Sequence, residues 1–354
     1  MAKKLMKGNE AIAEAAIAAG CRHFFGYPIT PSTQIPEYMS KRMPQVGGCF
    51  LQAESEIAAI NMVYGAAGAG ARAMTASSSP GVSLKQEGIS YIACAELPCV
   101  IVNIVRTGPG LGGIQPSQGD YFQATKGGGH GDYHMVVLAP CSVQEAADMV
   151  MEGFDIADQY RTPVMILGDG MIGQMMEPVE FVPKQGRKLP KKDWAATGWD
   201  GKSRDRAVIN SLYIEPEVMK VVADRLGERY AEIAKNETQV EEYLMEDAEF
   251  CIAAYGTTAR IAKSMISKAR GMGIKVGLIR PKTVWPFPYD SYSRAAEKVK
   301  AFLDFEMSAG QMVEDVRLGV AGKKPVYFHG TLGGYVPTPA EMLTELLKVK
   351  EASK

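Results

Sequence analysis

Short apolar runs separated by turn residues and helical stretches recur through the first half of the chain. Met74-Thr75-Ala76 and residues 100–105, 135–139 and 164–167 are such runs, and each leads through turn residues into a helical stretch, as at residues 144–160. Apolar runs of this length bounded by turn signals predict buried strands. Strands alternating with helices predict a parallel sheet covered on both faces, so the expected fold class is α/β. Ahead of them, residues 8–20 predict a helix with a glycine stop, and His23-Phe24-Phe25 predicts the end of a short buried strand. Residues 83–92 predict a further helix after a hydroxyl-rich turn.

Near Pro183 this pattern fails. Residues 184–206 are basic, contain Trp194 and Trp199, and show neither the helix nor the strand period. They predict an irregular connection or a partner-facing arm. Residues 215–245 predict a charged helix. A second α/β unit then opens at Glu249-Phe250-Cys251-Ile252-Ala253-Ala254-Tyr255-Gly256, with strands expected at 275–279 and 301–306 and helices at 258–272 and 338–349. The expected division is a first domain over 1–183, a connection over 184–246 and a second domain over 247–354. No internal repeat or low-complexity segment stands out.

Composition narrows the function. The 354 residues are 46% apolar and 22% charged with 37 glycines, which suits a soluble α/β protein long enough for two cores. A net charge of −1 and the lack of a long basic run argue against nucleic acid or a membrane surface as partner. Charge at Lys3, Lys4 and Lys7 has no apolar stretch behind it, and no run approaches the roughly 18 residues of a membrane span, so a cytoplasmic protein is expected. Cys21, Cys49, Cys94, Cys99, Cys141 and Cys251 stand singly with no C-x-x-C pair, and the four histidines are dispersed. The spacing for an iron–sulfur cluster or structural zinc is therefore missing, and buried thiols are expected.

The strand ends carry the residues that could do chemistry, where ligands of open α/β sheets bind. Tyr27-Pro28-Ile29-Thr30-Pro31-Ser32 follows the first strand. Thr30 with Pro31 suits an N-cap and first helical residue, which would set a hydroxyl beside free backbone donors; an ordinary strand–turn–helix joint fits the hexapeptide equally. Glu54-Ser55-Glu56 opens a nearly uncharged small-residue helix, and two acids at alternate positions leave room for one exposed and one buried. Thr75-Ala76-Ser77-Ser78-Ser79-Pro80-Gly81 is either a polar ligand turn or a plain N-cap. Arg106 ends a strand and offers a fork for a carboxylate or a structural ion pair. Lys126-Gly127-Gly128-Gly129-His130-Gly131-Asp132 reads as a backbone-rich loop. Residues 108–113 match G-x-G-x-x-G literally, but Pro116-Ser117-Gln118 follow where a long helix should begin, and no acidic strand end lies about 20 residues on. A nicotinamide site is therefore disfavoured. Gly168-Asp169-Gly170 is similar to the opening of the magnesium-holding thiamine-diphosphate motif, but Ala195-Ala196-Thr197-Gly198 stand where that motif has asparagine.

Taken together, residues 27–32, 52–59 and 75–81, Leu84-Lys85-Gln86-Glu87-Gly88, Glu96-Leu97-Pro98 and Gln118-Gly119-Asp120 resemble the pyrimidine-domain subunit of 2-oxoacid:ferredoxin oxidoreductases. Leu5-Met6-Lys7-Gly8-Asn9-Glu10-Ala11 and residues 123–132 are most similar to the branched-chain (2-oxoisovalerate) type. The resemblance implies a thiamine-diphosphate pyrimidine-binding domain followed by a smaller transketolase C-terminal-like domain. It also implies conversion of a 2-oxoacid and coenzyme A to acyl-CoA and carbon dioxide, with electrons passing to ferredoxin. By position, Glu56 matches the glutamate that hydrogen-bonds the aminopyrimidine and favours the imino tautomer that deprotonates the thiazolium carbon. Thr30 and Arg106 match the groups holding the substrate's carboxylate and carbonyl, and Pro28, Ile29, Ser78 and Ser79 fall at the cofactor. No metal ligand is expected here. A beta subunit would bring magnesium and the diphosphate, and iron–sulfur and gamma-type subunits would carry electrons. Related readings are the same chemistry on 2-oxoglutarate or pyruvate, and, from another class, a non-catalytic assembly subunit.

Overall fold

The computed structural model describes residues 3–182, 187–202 and 205–353. Met1, Ala2, residues 183–186, Ser203, Arg204 and Lys354, on which parts of the expected segments fall, lie outside the described residues. A seven-stranded sheet runs in the order Thr283–Trp285, Val136–Leu138, Pro163–Asp169, Cys99–Val105, Ala73–Ser77, His23–Gly26, Cys49–Gln52. All neighbours are parallel except Thr283–Trp285, which runs antiparallel to Val136–Leu138. The central strands Cys99–Val105 and Pro163–Asp169 are buried at every residue, as a sheet with helices on both faces requires. A second, five-stranded sheet has the order Val326–Gly330, Ala301–Glu306, Phe250–Ala253, Val276–Pro281, Val240–Tyr243. Its last strand is antiparallel and the others are parallel. This is a mostly parallel α/β protein with a larger and a smaller sheet. No described helix is long and apolar enough to cross a membrane.

Three local expectations are corrected. The helix after the strand His23–Gly26 spans Gln34–Arg42 with Thr33 at its N-cap, so Thr30 and Pro31 belong to the preceding turn and do not begin the helix. That turn is set by side chains: the buried Asn9 amide donates to the Pro31 carbonyl at 2.7 Å and to Gln34 Oε1 at 2.8 Å, and Ser32 Oγ donates to the Ile29 carbonyl. The charged helix spans Pro216–Glu237 and does not run to residue 245. Beyond it the chain extends at Thr238, and Val240–Tyr243, with β-favouring residues at both ends, pairs with Val276–Pro281 at the sheet edge. Finally, Cys49 is exposed and Cys94 half-buried, so not every thiol is in the core.

The two sheets are joined by polar contacts as well as by packing. Gln118 is buried, donates to the Tyr255 carbonyl at 2.9 Å, and accepts from the Met307 N–H at 2.9 Å and Thr258 Oγ1 at 3.2 Å. Tyr121 and Tyr289 both donate to Asp315 at 2.6 Å, and Lys126 pairs with the same carboxylate. Arg280, buried on the strand Val276–Pro281, donates to Glu145 at 2.7 Å and to Glu241 at 2.7 Å. Burial opposes the Glu145 charge. The Arg280 guanidinium, the Cys141 N–H and Lys282 outweigh it and hold the carboxyl down at about 2.

Because that value lies below the ordinary 4.5, the pair stabilises the fold fully above about pH 4.5 and loses its contribution as pH falls towards about 2. Arg280→Met is expected to make the fall of unfolding free energy across that window shallower, measured by denaturant titration at several pH values. An unchanged slope would contradict the assignment.

Candidate active site

The carboxyl ends of the strands Ala73–Ser77 and Cys99–Val105 meet two helix starts. Glu56 is the first residue of the helix Glu56–Gly68, whose N-cap Ser55 accepts from the Ala58 N–H at 3.2 Å. Glu56 is only 6% exposed, whereas Glu54 is exposed. Alternate acids thus divide between solvent and interior, and the interior one lies at the positive end of a helix, where a carboxylate is favoured. The hydroxyl-rich turn becomes the helix Ser79–Cys94, with extended Ser78 at its N-cap and Pro80 in its first turn; it starts four residues earlier than the expected 83–92. Proline is tolerated there because the first turn leaves its N–H groups unpaired.

The two helices pack without space between them. A Cβ on Gly81 would lie 2.1 Å from Ser77 Oγ and 2.6 Å from Glu56 Oε1, and one on Gly88 would lie 2.5 Å from Ile60. The glycines therefore allow the approach that fixes the Glu56 side chain. Ser77 Oγ and Lys85 Nζ beside it, and Thr75 Oγ1 and Ser78 Oγ at the same strand end, are buried and have no hydrogen-bond partner. Lys85 is fully buried; burial pulls its amine down to about 8, and nearby Glu56 acts in the opposite sense. Buried polar groups are ordinarily satisfied, so a cluster of orphaned atoms around one carboxylate marks a surface that a polar ligand completes.

The turn at residues 27–32 lies beside this cluster through Arg106. Arg106 is 7% exposed and donates from Nη1 to the Thr30 carbonyl and from Nη2 to the Leu111 carbonyl, both at 2.9 Å, leaving Nε buried and unpartnered. Ser79 Oγ accepts from the Arg106 N–H at 3.1 Å and donates to its carbonyl at 3.2 Å, and the Ser79 N–H donates to Asn103. Asn103 in turn donates to Asp120 at 2.9 Å. The structure thus brings Thr30, Ser79 and Arg106 together, and Glu56 together with Ser77 and Gly81. Pro28 and Ile29 are half-buried in the turn and Thr30 is exposed. Asp169 is an N-cap: its Oδ1 accepts from Met171 and Ile172, and burial raises its carboxyl above the ordinary range. The loop at 126–132 is exposed but tethered, with Ser90 Oγ donating to the His130 carbonyl and the Gly129 N–H donating to Tyr133 Oη. Lys85, Asn9 and Gln118 were not singled out individually from sequence. A lysine on an otherwise apolar helix stripe at i, i+4, i+7 (Gly81, Lys85, Gly88) was the available signal for the first.

Two family models account for most of the chain. One, described as pyruvate flavodoxin/ferredoxin oxidoreductase, thiamine diP-bdg, matches residues 14–242. The other, pyruvate:ferredoxin oxidoreductase core domain II, matches residues 248–342. The chain belongs to this oxidoreductase family. It is 48% identical to ketoisovalerate oxidoreductase subunit VorB of Methanothermobacter thermautotrophicus over 99% of this chain and 98% of that one. It is 37% identical to 2-oxoglutarate synthase subunit KorA of the same organism, over 97% and 98% of the two chains. Its fold superposes on a solved 2-oxoglutarate:ferredoxin oxidoreductase from Magnetococcus marinus with a TM-score of 0.88 at 27% identity, covering all of this chain and 66% of that one. The relatives are thus subunits of multi-subunit 2-oxoacid oxidoreductases, and the first sheet is the core of a thiamine-diphosphate-binding domain.

Gly81→Ala is expected to push Ser77 and Glu56 off their present positions and lower the denaturation midpoint by an amount equivalent to about 1–3 kcal/mol, as overpacked cores do. A midpoint equal to wild type would show that the two helices do not meet at this distance.

Proposed function

We propose that the chain supplies the aminopyrimidine-binding half of a thiamine-diphosphate site in an enzyme acting on 3-methyl-2-oxobutanoate and other branched-chain 2-oxoacids. With coenzyme A the reaction gives acyl-CoA, carbon dioxide and reduced ferredoxin. The observation that carries the chemistry is the buried Glu56 carboxylate at a helix start, beside the Ser77 hydroxyl and the Lys85 amine, which have no partners. Identity of 48% over nearly the full length of a ketoisovalerate oxidoreductase subunit, against 37% for a 2-oxoglutarate synthase subunit, supports the branched-chain substrate.

The residues present fit the polar edge of an aminopyrimidine. Glu56 offers a carboxylate oxygen to a ring nitrogen and holds the shared proton there. Ser78, with an orphaned hydroxyl, faces the same ligand, and Pro28 and Ile29 form the apolar side of the turn. Ser79 acts through Arg106, whose main chain it brackets. Thr30 and Arg106 hold the substrate's carboxylate and carbonyl, with Arg106 also fixing the Thr30 backbone. When bound, thiamine diphosphate supplies the electron sink that decarboxylation of a 2-oxoacid requires. A carboxylate that stays anchored at a ring nitrogen provides acid–base catalysis worth roughly 10²–10⁴-fold. In this reading a beta subunit holds magnesium and the diphosphate, iron–sulfur and gamma-type subunits pass electrons to ferredoxin, and the assembly works in the cytoplasm.

Anaerobic viologen-dye or ferredoxin reduction by the complex purified through this chain tests the reading. Turnover is expected to be fastest on 3-methyl-2-oxobutanoate and to depend on coenzyme A, and Glu56→Gln is expected to lower it about 10²-fold or more. Preference for 2-oxoglutarate or pyruvate would overturn the substrate. Full activity of the Glu56→Gln complex would support a non-catalytic assembly subunit instead.

A further inference from the structure

A second polar cleft lies at the opposite ends of the same central strands. Glu96 and Arg161 precede the strands Cys99–Val105 and Pro163–Asp169, whereas Arg106 and Asp169 lie at their carboxyl ends. A seven-residue strand separates these ends by roughly 20 Å. The cleft encloses about 440 Å³ and is lined by Glu96, Arg161, Arg225, Arg229, Trp194 and Tyr213, among others.

Three guanidinium groups face one carboxylate there. Arg225 and Arg229 each donate to one oxygen of Glu96. Arg161 lies over the Trp194 ring, 4.5 Å from its centroid, and donates from Nε to the Glu96 carbonyl at 3.1 Å. Its Nη1 and Nη2 have no hydrogen-bond partner among the described residues. The four charged groups sum to +2. Burial lowers the Arg161 basicity; Glu96 opposes that effect, and the like charges of Arg229 and Arg225 add to it. Glu96 and Arg161 also adopt left-handed backbone conformations just after helix ends, with φ of 56° and 49°. Glycine is the ordinary residue at such positions, so two charged side chains are retained where the backbone disfavours them.

We propose that this cleft binds the phosphate group of a small phosphate monoester. A surplus of two positive charges matches a phosphate dianion, and free guanidinium N–H pairs match its oxygens in a bidentate fashion. The volume exceeds that of one phosphate and falls in the range of small-molecule sites. Val208 and Tyr213 provide an apolar wall for the rest of the molecule. Because the cleft lies at the end of the sheet remote from Glu56, its ligand is not consumed in the decarboxylation; it stabilises the fold by binding only the native state.

Titration calorimetry of the intact complex with phenyl phosphate, compared with inorganic phosphate at matched ionic strength, tests this. One phenyl phosphate is expected per copy of this chain, bound more tightly than inorganic phosphate. Affinity is expected to fall at least tenfold in Arg161→Gly, which suits the left-handed backbone, and in the partly exposed Arg225→Gln, with oxoacid turnover retained in both. Absence of binding to the wild-type complex, or binding by either variant as tight as by the wild type, would overturn the site. Equal affinity for inorganic phosphate would overturn the monoester. A density map of the complex with a partner's acidic side chain seated on Arg161 would overturn both.

Discussion

Two helices that start side by side and touch at a glycine set the terms for the rest of this protein. The Glu56 carboxylate is held inside the chain because Gly81 has no side chain to displace it and because it begins a helix, whose positive end favours it. Neither helix could approach so closely with larger residues at Gly81 and Gly88. The Ser77 hydroxyl lies beside the acid, and Thr75 and Ser78 leave two more unpartnered hydroxyls at the same end of the strand Ala73–Ser77. Lys85, one turn beyond Gly81, adds a buried amine without a partner. Such a cluster costs folding free energy, and a ligand that satisfies it recovers the loss on binding.

The second sheet has a supporting part in this arrangement. Gln118 fixes the segment after the Arg106 loop to the backbone of Tyr255 and Met307, and Asp120, two residues on, anchors Asn103 beneath Ser79. The strand Thr283–Trp285 extends the first sheet from the far side of the chain. Joining the sheets thus also orders the loop that carries Arg106, so the smaller unit contributes to the shape of the site without supplying any of its proposed residues.

Much of this was legible in the residues. Apolar runs at 100–105 and 164–167, alternating with helical stretches, predict buried strands of a parallel sheet, and they are the fully buried centre of it. The alternate acids at 54 and 56 left room for one exposed and one buried carboxylate, and the structure divides them so. Other features depended on contacts distant in sequence. Thr30 and Pro31 carry every local sign of a helix start, yet Asn9, more than twenty residues earlier, holds them in a turn. Val240–Tyr243 follows a strongly helical charged stretch and becomes a strand only because the edge of another strand is open to it. For Arg106 the sequence leaves an anion fork and a structural ion pair equally open; two of its donors are held by the carbonyls of Thr30 and Leu111, which no spacing rule could reveal.

The central claim is that Glu56 acts on the cofactor through the aminopyrimidine ring. Exchange of the thiazolium carbon proton for deuterium, followed by rapid quench and proton NMR in the assembled complex, reports on that role without requiring substrate or electron transfer. The account predicts exchange slowed about 10²-fold or more in Glu56→Gln while thiamine diphosphate stays bound. Exchange at the wild-type rate, with the cofactor fully bound, would contradict it.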